Sequence, residues 1–86
     1  MTTASNNRQF RTMHWRDALA LLETGEPVTL RLWELSTGEI LTYRNVVCIG
    51  GHRRRGLHRV RFIDSGEIRA FRDITLFEIN GYDIYR

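Results

Sequence analysis

Between residues 50 and 61 the chain reads GGHRRRGLHRVR, which gathers five arginines and two histidines into twelve positions. Arginine carries a planar fork of donors that fits phosphate and carboxylate two bonds at a time, so the chemistry on offer is the binding of anions. None of the 13 basic residues is lysine. Arg44, Arg53, Arg54, Arg55, Arg59 and Arg61 fall within residues 40–63, a window with no Asp or Glu, so that this window carries +6 and the rest of the chain −3. The net charge of +3 therefore understates how far charge is polarised along the sequence.

Other chemistries have weaker support. A zinc site gathers three or four ligands, whereas the chain has one cysteine, Cys48, and three histidines, His14, His52 and His58, at no ligand spacing. No metal and no cofactor are expected. His52 and His58 read as loop and strand-surface residues. Cys48 closes the apolar run NVVCIG, where a free cysteine behaves as a small hydrophobe and not as an activated nucleophile. Ser36 and Ser65 sit in no catalytic motif, so no catalytic residue is assigned and a non-enzymatic domain is expected. The glycines flanking Arg53–Arg55 could cradle a phosphate, but that motif needs a helix after the loop, and here a strand pattern follows.

The elements that must position these arginines can be read from periodicity. At 86 residues, 42% hydrophobic and 27% charged, the chain suits one small core. Residues 1–11 are polar and without period and are expected to form a disordered tail ahead of a single β-barrel-like domain over residues 12–86. Trp15, Ala18, Leu19 and Leu22 share one helical face. Thr12 or His14 suits the N-cap, and Gly25 with Pro27 the stop, which predicts a helix over about residues 14–24.

After Pro27 the period becomes two. Val28, Leu30 and Leu32 oppose Thr29, Arg31 and Trp33. In the next strand Leu41, Tyr43, Val47 and Ile49 are expected to face inward, with Asn45 and the adjacent valines hinting at a bulge. Val60 and Phe62 are expected inward and Arg59 and Arg61 outward, and after a tight DSGE turn Ile68 and Ala70 are the expected inward pair. Asn80-Gly81, between two alternating runs, predicts a type I′ hairpin. One helix and five or six short antiparallel strands predict an α+β, mainly β domain. A small SH3-like barrel is expected over an OB-like one, since strands this short leave little room for coiled OB strands.

The run SGEIRAFRDITLFEINGYDIYR, with GEPVTLRLWELSTGEILTYRNV upstream, resembles a group of short, functionally uncharacterised bacterial proteins with a basic hairpin, a Gly-x-Ile-Arg strand and a closing Asn-Gly hairpin. The resemblance spans roughly residues 26–85. It implies a small β-rich fold and location, for some of the group, among mobile-element genes, and it supplies no catalytic residues.

Two functional readings stand side by side. In the first, Arg53, Arg54 and Arg55 at a hairpin tip, Arg59 and Arg61 on its strand and Arg44 across from them bind nucleic-acid phosphates without sequence preference, with His58 and Tyr43 nearby to stack on a single strand. In the second, Trp33, Leu35 and Phe71 outside the barrel form a surface for a protein partner or a homodimer. Against each stands a plain alternative: the arginines keep a hairpin solvated, and the N-terminal helix covers Trp33 with Trp15, Leu19 and Leu22. No apolar stretch approaches the roughly 18 residues of a membrane span, and the start has no apolar signal region, so no membrane partner and a cytoplasmic location are expected.

Overall fold

A computed structural model describes residues 11–86. A short strand β1 (Thr12–His14) leads into one helix, α1 (Trp15–Glu23), followed by β2 (Val28–Trp33), β3 (Ile40–His52), β4 (Leu57–Phe62), β5 (Ile68–Arg72), β6 (Leu76–Ile79) and β7 (Tyr82–Tyr85). One-turn 3-10 helices lie at Arg53–Arg55 and Asp73–Thr75. All seven strands join one sheet in the order β1-β7-β6-β2-β3-β4-β5, antiparallel except for the β1–β7 pair.

The helix forms where its apolar spacing places it. His14 is the N-cap, its Nδ1 accepting from the Arg16 amide at 3.2 Å, and Asp17 complements the dipole in the first turn. Gly25, at φ +81°, leaves the helix in the left-handed region that favours glycine. Ala18 and Leu22 enter the core beside Val28, Leu30, Leu32, Val46, Val60, Phe71, Leu76 and Ile79. Each fully buried large aliphatic contributes about 1.5–3 kcal/mol over its exposed state, so Leu22, with no exposed surface, fastens α1 to the sheet.

β3 determines the shape. Its first half pairs with β2 and its second half with β4, and only Val46 touches both partners, Val28 and Phe62. The hinge is Asn45, at φ +58°. There the register slips by one residue, from Leu30↔Tyr43 to Val28↔Val46. The expected bulge exists, and it exchanges the faces of everything after it: Val46 and Cys48 turn inward, while Val47 and Ile49, expected inside, turn out. A second slip between Cys48 and Gly50 follows.

β5 corrects a second expectation. Antiparallel partners share a face, and the register sets His58 against Phe71 and Arg59 against Ala70. Phe71 is therefore buried with His58, while Ile68 and Ala70 are exposed with Arg59 and Arg61.

The expected barrel does not close: the sheet is open, with β1 and β5 at its edges. β6 has both edges taken, by β2 and β7, so it offers β5 nothing to pair with. Seven strands form among the described residues where five or six were expected, the additional one being β1. The expected tail, residues 1–11, falls outside the described residues except for Arg11. That residue is held: its carbonyl accepts from the Asp83 amide at 3.0 Å and its guanidinium lies 4.5 Å from the Tyr82 ring centre.

Candidate nucleic-acid interface

The basic segment is a folded structure, not a free tip. Gly50 and Gly51 carry φ of +137° and +152°, and a Cβ on Gly51 would stand 2.2 Å from the Leu57 carbonyl oxygen. The chain can therefore return so closely only without a side chain there. Arg53–Arg55 then make their 3-10 turn, ended by Gly56 at φ +67°. Gly56 accepts from the Asp73 amide at 2.8 Å, the Arg55 carbonyl accepts from the Arg72 guanidinium at 3.3 Å, and Arg53 Nε lies 3.1 Å from Glu23 Oε2 on α1. Three elements distant in sequence thus tether the arginine turn.

That tethering splits the expected patch in two. Arg59 and Arg61 project from the outward face of β4, both exposed, beside Gly50 and Val47 of β3. Arg44 is exposed on β3 next to the bulge, three residues before the position that pairs with Arg61. Arg53, Arg54 and Arg55 instead turn toward α1, where with Arg72 and Arg86 they line an open cleft of about 610 Å³. Trp15 and Leu19 of α1 and Ile74 of the second 3-10 turn supply its apolar wall.

Two acids lie on the cleft and both are engaged. Glu23 holds Arg53. Asp73 Oδ2 lies 3.3 Å from Nε2 of His58, whose side chain is 4% exposed, and Arg86 donates to the Asp73 carbonyl at 2.8 Å. Among the described residues, Arg44, Arg54, Arg55, Arg59 and Arg61 lie in no ion pair, the arginine pairs being Arg31–Glu78, Arg53–Glu23 and Arg69–Glu67. Five of the six arginines in the acid-free window therefore keep their donors for an external anion.

The stacking residues expected beside the patch are not there. His58 is buried against Phe71, with ring centres 5.6 Å apart, because it shares the inward parity of Val60. Tyr43 lies opposite Leu30 and meets Phe62 edge-on at 5.1 Å; burial raises its pKa, with Glu34 adding to the rise and Arg69 opposing it. His52, expected in a loop, is exposed but ends β3, where it pairs with Leu57. Cys48 is a half-buried free thiol packed on the core. No cluster of three metal-ligating side chains occurs among the described residues, and no helix among them is long and apolar enough to cross a membrane.

The apolar partner surface changes membership. Phe71 belongs to the core, at 6% exposure. Trp33 and Leu35 are exposed, at 44% and 70%, and α1 does not cover Trp33. Its ring instead packs on Phe77, 5.2 Å away, with Arg31 over the far ring at 5.4 Å. Phe77 stands at the register slip between β2 and β6, which is why alternation along the sequence does not reveal it. Trp15, expected only on the apolar face of the helix, and Arg72, Ile74 and Arg86 join this site because long-range pairing brings them to the arginine turn. No family model, curated protein or solved structure matches the chain.

Proposed function

We propose that this chain is a non-enzymatic domain that binds nucleic acid through its phosphates, largely without regard to sequence. One observation carries the reading: Arg44, Arg54, Arg55, Arg59 and Arg61 have no ion-pair partner among the described residues, and no carboxylate interrupts residues 40–63. A guanidinium already satisfied by a carboxylate has little to gain from phosphate; one that is not gains charge-assisted hydrogen bonds and releases counterions. The rigid positions of Arg59 and Arg61 on a paired strand lower the ordering cost of contact. The finer fold reading is an SH3-like arrangement left open, supported by the run β6-β2-β3-β4-β5, in which the first long strand lies between the second and a returning late strand.

The test is a titration of labelled duplex and single-stranded DNA over a salt series. Binding at about 50 mM salt that weakens with a log–log slope near −0.9 per phosphate for duplex is the expected result. Absence of binding to both forms at that salt overturns the reading.

A second reading, a protein-interaction or self-association module, is favoured by exposed Trp33, packed on half-buried Phe77, with exposed Leu35 beside β2. It requires mass that rises with concentration in sedimentation, and indifference of partner binding to the combined change Arg53→Ala, Arg54→Ala and Arg55→Ala.

A further inference from the structure

The cleft between α1 and the two 3-10 turns combines features that a purely phosphate-gripping surface has no use for. Its wall of Trp15, Leu19 and Ile74 is apolar, with the Arg86 guanidinium 5.5 Å from the Trp15 ring centre to offer a second flat surface, and Ile74 is 70% exposed. Water gains nothing from such a wall, whereas the face of a nucleobase does. Facing it, Arg54 and Arg55 lie in no ion pair among the described residues, while the two cleft acids contact Arg53 and His58. At about 610 Å³ the cleft falls within the range of small-ligand sites. A ligand that fills it therefore needs a flat apolar part and an anionic part a few ångströms away. A nucleotide unit of a single strand has both.

We infer that the cleft seats one nucleotide of a single strand, its base against Trp15 and Ile74 or on a guanidinium plane and its phosphate on Arg54 and Arg55. This rests on the nucleic-acid reading above. A duplex cannot enter without extruding a base, at a cost in unstacking and unpairing, so the cleft makes the domain prefer single strands. Arg59 and Arg61 alternate with His58 along β4 and occupy the opposite face; they serve flanking phosphates on either form of nucleic acid. Preference and general affinity thus reside on different faces and can be separated.

The experiment compares a 12-nucleotide oligothymidine with a 12-base-pair duplex by anisotropy on the full chain. The wild type is expected to bind the single strand about tenfold more tightly, the worth of one stacked base. In a Trp33→Phe background, Trp15 fluorescence is expected to quench with oligothymidine and not with duplex. Ile74→Asp, an exposed position outside the core, is expected to weaken oligothymidine binding more than duplex binding and so to remove the preference. Equal binding of the two forms with Trp15 unquenched overturns the cleft assignment and leaves the general reading standing. Failure of both probes to bind overturns the general reading and this one with it. A preference that survives both Ile74→Asp and the double change Arg54→Ala with Arg55→Ala also overturns it.

Discussion

At the scale of single residues, backbone parity decides whether a side chain works outside or inside the fold. His58 and Arg59 are neighbours in a basic run, yet His58 is at 3% exposure against Phe71 and Asp73 while Arg59 is in solvent. Tyr43 illustrates how burial then alters chemistry. Taking its hydroxyl partly out of water penalises the phenolate and raises the pKa, and Glu34 adds to this while Arg69 opposes it. A raised folded-state value means that the folded protein holds the proton longer than the unfolded chain. The stability this contributes is complete below the unfolded value near ~10 and is lost as pH rises through the raised folded one. Wild type is therefore expected to lose more stability than Tyr43→Phe between about pH 8 and pH 11, read from urea midpoints. Equal losses in the two proteins would show that Tyr43 does not carry this alkaline sensitivity.

At the scale of elements, the hinge in β3 governs which side chains reach the core. Asn45 sits at φ +58° and its carbonyl accepts from the Ile63 amide at 3.1 Å, so the bulge is held across to β4. A left-handed conformation costs an L-residue with a branched Cβ about 1–2 kcal/mol, and glycine almost nothing. Asn45→Val is thus expected to destabilise by about that amount and Asn45→Gly by less than about 0.5 kcal/mol in equilibrium unfolding; equal costs would mean the hinge does not depend on backbone conformation. The same hinge marks the limit of what the sequence disclosed. The helix, the alternation of β2 and β4 and the Asn80-Gly81 hairpin are local patterns, and the structure contains all of them, Asn80 and Gly81 at φ +50° and +84°. The inward choice of Val46 over Val47, and of Phe71 over Ile68, depends on registers with partner strands, which no single strand contains. The cleft depended on more still: Trp15, Arg72 and Arg86 meet Arg54 only after β4 pairs with β5 and α1 seats Leu22.

At the scale of the whole molecule, the distribution of charge matters more than its total. A net +3 spread evenly would be screened beyond roughly 8 Å at physiological salt, whereas on the proposed reading the five arginines without an ion pair among the described residues would meet phosphates at contact distance. They lie on two faces, so their contributions to salt dependence can be read separately. If every arginine of the acid-free window that lies in no ion pair neutralised one duplex phosphate, these five would contribute a log–log slope of about −4.5. Arg59 and Arg61 are exposed on the outward face of β4, the face that the proposed reading assigns to duplex contact. Replacing both with alanine is expected to reduce the magnitude of the slope by about 1.8 and to weaken duplex binding alike across sequences. Arg53→Ala is expected to change the slope little, because its charge is already met by Glu23 at 3.1 Å in an exposed pair that contributes little to stability. An unchanged slope for Arg59→Ala with Arg61→Ala would take the phosphates away from this face and assign them to the cleft arginines alone. A reduced slope for Arg53→Ala of the same size would mean that the ion pair to α1 opens on binding, since only a released guanidinium can displace a counterion from the nucleic acid.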